Sequence, residues 1–323
     1  MHVLLTGAAG FVGARTAARL LEDGHTLTAV DNFNDYYDPK LKEHRVEGLR
    51  DDGGCSFVRG DIEDYSIVES LFESKRPDAV INLAARAGVR ASIENPFVYL
   101  STNATGTLNL LEAMRRYDVG KLVLASTSSL YAGNEMPFVE SLPVNTPISP
   151  YAASKKAAEA LAYSYHYLFN IDVSVLRYFT VFGPAGRPDM MPFRFIKWIT
   201  EGTALTLYGD GSASRDFTYV DDIADGTVRA LTPLGYEVIN LGGGRNPISV
   251  SSMIEKMEER IGRRARIDYR DPVAADMKST WADISKAERL LDWSPSVDVD
   301  EGLARTVEWH KKYARLVADM RVE

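Results

Sequence analysis

Tyr151 and Lys155 stand four residues apart in Pro150-Tyr151-Ala152-Ala153-Ser154-Lys155. On a helix that spacing puts both side chains on one face. An ammonium beside a phenol favours the phenolate and pulls its pKa down from about 10. A phenol tuned in this way exchanges a proton with a substrate hydroxyl. Taken alone, a Tyr and a Lys four apart are most often a surface pair. One apolar run earlier comes Ala125-Ser126-Thr127-Ser128-Ser129, a row of hydroxyls at the carboxyl end of an expected strand. Ends of parallel strands line the crevice where such sheets bind ligands, although Ser and Thr also make local turns. A third feature is Gly7-Ala8-Ala9-Gly10-Phe11-Val12-Gly13, which opens a helix after a strand. Glycines there permit a tight turn and let the backbone approach a pyrophosphate at the helix N-terminus. Asp31 closes the second strand and is followed by Asn32 rather than by an Arg. A carboxylate at that place accepts hydrogen bonds from ribose hydroxyls and repels a 2′-phosphate, which favours NAD over NADP.

The elements that must position these residues follow from hydrophobic periodicity. Strands are expected at 2–6, 26–31, 56–61, 79–84, 121–126 and 173–178, and helices at 11–23, 65–75, 98–117 and 151–169. Strands alternating with helices imply right-handed βαβ units and a parallel sheet covered on both faces. The expected fold class is therefore α/β, a Rossmann-type doubly wound parallel sheet with a smaller α/β C-terminal substrate domain. Beyond residue 180 the rhythm breaks at Gly183-Pro184-Ala185-Gly186-Arg187-Pro188, a loop by composition. Short strands (205–208, 267–269) and helices (192–201, 249–261, 285–291, 302–318) follow, and 236–241 reads as one more strand of the main sheet. This divides the chain into a cofactor-binding domain of residues 1–178, to which 217–245 return, and a second domain of 179–216 and 246–323.

A length of 323 residues sets a prior of about two domains. With 45% apolar and 25% charged residues, the composition excludes a mainly disordered chain, a collagen-like repeat and a coiled coil. The 37 basic and 45 acidic residues leave a net charge of −8, which argues against nucleic acid as a partner. No apolar run approaches the roughly 18 residues that a membrane span needs. The opening residues reach the glycine turn too soon for a secretory leader. Cys55 is the single cysteine, so no internal disulfide forms, and the five histidines show no ligand spacing. The expectation is a cytoplasmic protein with no membrane partner and no metal.

Taken together, the glycine run, Asn82-Leu83-Ala84-Ala85, Ser126-Thr127-Ser128, Tyr151-x3-Lys155 and Arg177-Tyr178-Phe179-Thr180-Val181-Phe182-Gly183 resemble the extended short-chain dehydrogenase/reductase family of nucleotide-sugar epimerases and dehydratases. Leu207-Tyr208-Gly209-Asp210-Gly211, Ser214-Arg215-Asp216-Phe217 and Thr280-Trp281-Ala282-Asp283 extend the resemblance over essentially the whole chain. It implies that Thr127, Tyr151 and Lys155 are catalytic. It places Gly7, Gly10, Phe11, Val12, Gly13, Asp31 and Asn32 on NAD. Asp61, Ile62, Leu83, Ala84 and Ala85 are implied further along that cofactor, with Asn103, Tyr178 and Val181, and Asn103 as a support of the nearby backbone. The smaller domain is implied to hold a nucleoside diphosphate sugar, with Arg215 on its pyrophosphate and Asp276 on its ribose. Arg90, Thr206 and Tyr208 are implied as further substrate contacts. Arg215 also fits on chemical grounds, since a guanidinium suits bidentate phosphate contacts. Val273, Ala274 and Ala275 stand where the family often carries an Arg.

Asp31-Asn32-Phe33-Asn34-Asp35-Tyr36-Tyr37-Asp38-Pro39, Gly88-Val89-Arg90 and Arg187-Pro188-Asp189-Met190 resemble the subgroup that acts on UDP-glucuronate and UDP-galacturonate by inversion at C4. A uronate carries a carboxylate on C5, and Arg187 is the candidate for binding it, with Ser128, Ser129 and Thr180. The 4,6-dehydratases carry a carboxylate after the strand where this chain has Ser128 and Ser129, which disfavours dehydration. A UDP-glucuronate decarboxylase is the alternative, then a UDP-hexose 4-epimerase. A binding protein without turnover is a third class, disfavoured because the Tyr/Lys pair is present. The family often dimerises through the helix carrying Tyr163, Tyr165, His166, Tyr167 and Phe169 and the one near 100–117, which implies a homodimer.

Overall fold

The structure is a computed structural model and describes every residue except Asn246, Ala274, Ala275 and Glu323. Six parallel strands, β1 (His2–Thr6), β2 (Thr26–Asp31), β3 (Cys55–Arg59), β4 (Ala79–Asn82), β5 (Lys121–Thr127) and β6 (Asp172–Tyr178), form one sheet with a seventh, Tyr236–Leu241. The order runs from Tyr236–Leu241 through β6, β5, β4, β1 and β2 to β3. The order reverses between β1 and β4, which pair from Val3 with Ala79 to Thr6 with Asn82. The expected doubly wound α/β fold is thus present, with its switch point beside the glycine turn.

Side-chain alternation explains why these strands are apolar throughout. Val3, Leu5, Ala29, Ile81, Val123 and Leu176 join the core under one face. Leu4, Val30, Val80, Leu122, Leu124, Val173 and Val175 join the core under the other. Successive residues point to opposite faces, so a sheet covered on both sides needs both sets buried.

Helix Pro150–Phe169 starts sharply. Ser149 Oγ accepts from the Ala152 amide at 3.2 Å, and Pro150 takes a position that needs no donor. Its first two turns therefore carry Tyr151 and Lys155 in a defined register beside β5. The run expected as one helix over 98–117 is instead Pro96–Leu100, a π-helical turn Ser101–Thr105 and Gly106–Arg116. The wider turn carries Asn103, whose side chain bonds the backbone of Arg86 on both its NH and its carbonyl.

A separate core gathers Phe195, Ile196, Ile199, Leu205, Leu207, Met253, Ile254, Met257, Leu303 and Val307. The strands Ala204–Tyr208 and Arg266–Arg270 pair in parallel there. Residues 285–293, expected with the second domain, place Ala287, Leu291 and Trp293 in the core beneath the main sheet. The helix expected over 302–318 begins earlier and breaks into Val299–Lys312 and Ala314–Ala318. Helices Pro39–Arg50 and Val220–Arg229 were absent from the sequence expectation. No helix among the described residues is long and apolar enough to cross a membrane.

Candidate active site

A continuous cleft of about 2070 Å³ runs along the carboxyl ends of the sheet strands and on between the two cores. A pocket for one drug-sized ligand spans roughly 300–1,000 Å³, so this cleft has room for two larger molecules side by side. Every catalytic, cofactor or substrate residue expected from the sequence lines it except Asn103. Asn103 is 1% exposed and braces the wall, bonding Arg86 and donating to Ser154 Oγ at 2.9 Å.

At one end the chain passes very close to itself. Gly7 has φ +69°, and a Cβ there would lie 2.6 Å from the Ala84 nitrogen. A Cβ on Gly13 would lie 2.0 Å from the Gly7 carbonyl oxygen. Only glycine closes this turn, and it leaves the start of helix Phe11–Glu22 open to the cleft. Thr6 Oγ1 donates to Asn82 Oδ1 at 2.7 Å and accepts from the Ala84 amide at 3.2 Å, locking β1 to β4 at the switch point. The Asp31 carboxylate accepts from the Ala9 amide (3.0 Å) and the Phe33 amide (2.8 Å). It thereby fixes the glycine turn as well as facing the cleft. Asn32 donates to Asp61 at 2.7 Å, joining the ends of β2 and β3. A backbone cradle that a Cβ would fill, a helix N-terminus and a carboxylate beyond them fit an adenine dinucleotide.

The sequence reading missed two cations at this end, Lys42 and Arg86. Lys42 Nζ lies 3.9 Å from Asp31 and donates to the Asn34 carbonyl at 2.9 Å. Burial pulls its pKa down to about 8 against the opposing pull of Asp31. Lys42 sits on the unexpected helix Pro39–Arg50, whose weak apolar pattern hid it.

In the middle of the cleft Thr127, Tyr151 and Lys155 come together. Burial pushes the Tyr151 phenol up, while a hydrogen bond from Thr127 and the charge of Arg187 pull it down. The expected pull from Lys155 is not among these causes. Lys155 Nζ instead donates to the Ala125 carbonyl at 2.9 Å, and burial lowers its pKa to about 8, opposed by Glu159. Thr127 Oγ1 also accepts from the Ser129 amide at 3.1 Å, which turns Ser128 and Ser129 into the cleft. Behind this group lies a buried network that the sequence reading did not find. Glu159 takes a bidentate pair from Arg177 (2.9 and 2.8 Å) and a bond from Ser126 (2.7 Å), and Arg177 also donates to Tyr131.

Arg187 reaches the cleft from the loop after Gly183, but it is not a free cation. Its Nε and Nη2 donate to both oxygens of Asp189 at 3.0 and 2.5 Å, and Nη2 donates to the Ala87 carbonyl at 2.9 Å. Burial opposes its charge, and Asp189 overcomes that opposition.

At the far end Arg215 donates to the Ser214 and Lys278 carbonyls. Among the described residues it makes no salt bridge to a carboxylate. Burial lowers its pKa, with Asp276 opposing. Asp276, expected on a ribose, is paired with Arg90 at 2.5 Å, and the Arg90 guanidinium stacks 3.9 Å over the Tyr208 ring. Ala274 and Ala275, in the stretch where the family often carries an Arg, lie outside the described residues. Among the described residues no group of three or more His, Cys, Asp or Glu is arranged to hold a metal.

Comparison with known proteins agrees with this geometry. Residues 3–242 match the NAD dependent epimerase/dehydratase family. The chain is 54% identical over 321 residues, 99% of both chains, to a UDP-glucuronate 4-epimerase of Thermodesulfobacterium geofontis. It is 38% identical to a UDP-glucuronic acid 4-epimerase of Bacillus cereus solved with UDP-glucuronic acid and NAD, with a TM-score of 0.91 over 97% of this chain and 99% of that one. It is 31% identical to a UDP-glucose 4-epimerase of Thermotoga maritima solved with UDP-glucose, with a TM-score of 0.87 over 97% and 100%.

Proposed function

This chain belongs to the NAD-dependent epimerase/dehydratase family, and from that membership we propose that it is an isomerase that inverts C4 of UDP-glucuronate to give UDP-galacturonate. The observation that carries the reading is one cleft lined by Thr127, Tyr151 and Lys155 together with Arg187, Ser128 and Ser129. The relatives that carry the same activity by name support it.

Tyr151 takes the proton of the C4 hydroxyl, and Thr127 hydrogen-bonds the same oxygen. Lys155, fixed by the Ala125 carbonyl, presents its charge to the cofactor ribose and to the phenol once both are in place. The glycine turn and Asp31 would hold NAD, which would supply a reversible hydride acceptor for C4, so that inversion would need no net redox change. Inversion requires the 4-keto sugar to turn over while Arg215, with Arg90 and Asp276, holds its nucleotide. Thr206 and Tyr208 close the same end. The 4-keto sugar is a β-keto acid. Arg187, Thr180, Ser128 and Ser129 keep its carboxylate bond near the plane of the ketone, where carbon dioxide is not lost.

Residues 1–178 with 217–245 form the NAD side of the cleft, joined by 285–293 beneath the main sheet, and the second core supplies the side for the nucleotide sugar. The protein acts as a cytoplasmic homodimer. Helix Pro150–Phe169 and its neighbour Pro96–Leu100 support that assembly by exposing Tyr167 (77%), Leu168 (64%), Phe97 (82%) and Leu100 (56%). Apolar surface gathered on packed helices marks an interaction face. Sedimentation of the purified protein at twice the chain mass is the expected result.

Proton NMR of the protein incubated with UDP-glucuronate, without and then with added NAD, tests the activity. The expected result is UDP-galacturonate, with the same final mixture reached from either sugar and no carbon dioxide. A pentose product would make the protein a decarboxylase. Turnover of neutral UDP-hexoses alone would remove the uronate assignment.

A further inference from the structure

Arg187 is one end of a half-buried polar cluster, and the proposed chemistry uses only this one of its members. Asp189 occupies its Nε/Nη2 edge, and the Ala87 carbonyl takes the remaining Nη2 hydrogen. Among the described residues Nη1 makes no hydrogen bond, so one nitrogen of the fork is left to face the cleft. Tyr36 donates to the same Asp189 at 3.3 Å, and its ring lies 5.8 Å from the Arg187 guanidinium carbon. Tyr99, 2% exposed, donates to the same Ala87 carbonyl at 3.5 Å and sets its ring edge-on to Tyr151, with 6.2 Å between centroids. The cluster is tight. A Cβ on Gly88 would lie 2.9 Å from the Tyr36 hydroxyl and 3.9 Å from Arg187 Nη2.

We propose that Asp189, backed by Tyr36, is a positioning residue that fixes which edge of Arg187 a uronate carboxylate meets and thereby protects the 4-keto sugar from losing carbon dioxide. The proposal rests on the uronate reading given above. Two physical effects act together. An arginine grips a carboxylate most firmly through two parallel N–H bonds. With Nε and Nη2 committed to Asp189, the substrate carboxylate meets only Nη1, which limits the angle its bond makes with the ketone. In addition, Asp189 pairs a guanidinium whose charge acts on the Tyr151 phenol, the group proposed above to meet O4. Loss of carbon dioxide breaks the C5–C6 bond and moves its electron pair onto C5 and O4 as an enolate, which then takes a proton from water at C5. An unpaired cation beside O4 would stabilise that enolate.

The experiment compares the wild-type protein with Asp189→Asn and Tyr36→Phe, each loaded with NAD and given UDP-glucuronate. The readout is the ratio of carbon dioxide and 4-ketopentose to UDP-galacturonate, at matched NAD content and matched folded fraction. Asp189→Asn is expected to raise this ratio at least tenfold above the wild-type value or its detection limit, the effect of about 1.4 kcal/mol on a competing barrier, and Tyr36→Phe to raise it less. A damaged but otherwise unchanged site lowers both products together and leaves the ratio alone. An unchanged ratio in Asp189→Asn overturns the proposal while the epimerase reading stands. If Asp189→Asn does not fold, the ratio in Tyr36→Phe decides. A wild-type protein inert towards UDP-glucuronate removes the reading itself, and the proposal with it.

Discussion

The Lys155 ammonium donates to the Ala125 carbonyl at 2.9 Å, so it is held by the strand that delivers Thr127 and not by its helix neighbour Tyr151. Helical spacing put Lys155 and Tyr151 on one face, but β5 decides where the charge rests. An ammonium fixed in this way stays available to a third group, as the proposed role of Lys155 beside cofactor and phenol requires.

That arrangement carries a cost that can be measured. In the cofactor-free protein burial holds Lys155 at about 8, below its ordinary 10.5. Below pH 8 the folded state therefore carries an unfavourable charge, and from 8 to 10.5 the unfolded state binds the extra proton, so stability rises with pH across that window. Lys155→Met is expected to raise the Tm of the cofactor-free protein at pH 7 and to remove that slope, while lowering turnover by a factor of about 10² or more. Thermal unfolding against pH, with NMR assays of turnover, checks both.

Gly13→Ala is expected to abolish NAD binding and to destabilise the fold by about 2 kcal/mol or more, because its methyl would stand 2.0 Å from the Gly7 carbonyl oxygen. The 260/280 nm absorbance ratio of the purified protein reports the cofactor, and urea unfolding reports the stability. Retention of NAD by the variant would contradict the close-approach account of the turn.

The Glu159–Arg177 pair is buried on both sides, at 2% and 3% side-chain exposure. Glu159→Gln leaves a buried guanidinium without its counter-charge and is expected to cost about 3–5 kcal/mol. Replacing both partners, as Glu159→Leu with Arg177→Met, is expected to cost less than the single change. Chemical denaturation of the three variants makes the comparison.

His310 is buried against Phe193 at 4.5 Å between rings, and neither ring nitrogen has a hydrogen-bond partner among the described residues. Burial, aided by the Lys197 charge, lowers its pKa from 6.5 to about 3. Between those values the unfolded chain binds a proton that the folded chain refuses. This contribution to stability is complete above pH 6.5 and falls by about 1.4 kcal/mol per pH unit on acidification. His310→Leu is expected to flatten the dependence of Tm on pH between 4 and 6.5 relative to the wild type.

Taken by itself, the sequence determined the sheet, the glycine turn and the Tyr151-x3-Lys155 spacing, since each is written in short-range pattern. Strands with both faces buried are apolar throughout, a close backbone approach admits only glycine, and a helix brings every fourth residue to one face. Tertiary structure alone decided how charge is distributed in the cleft. Arg90 meets Asp276 across 186 residues, Arg187 is held by Asp189 and by an Ala87 carbonyl 100 residues away, and Lys121 on β5 bonds Asp172 at the start of β6. Lys42 arrives on a helix too weakly patterned to read, and Asn103 meets the Arg86 backbone from a π-helical turn that no residue type announces. The direction of a long charged side chain depends on which distant carbonyl or carboxylate lies within about 3 Å of it, and that is set by the packing of whole elements.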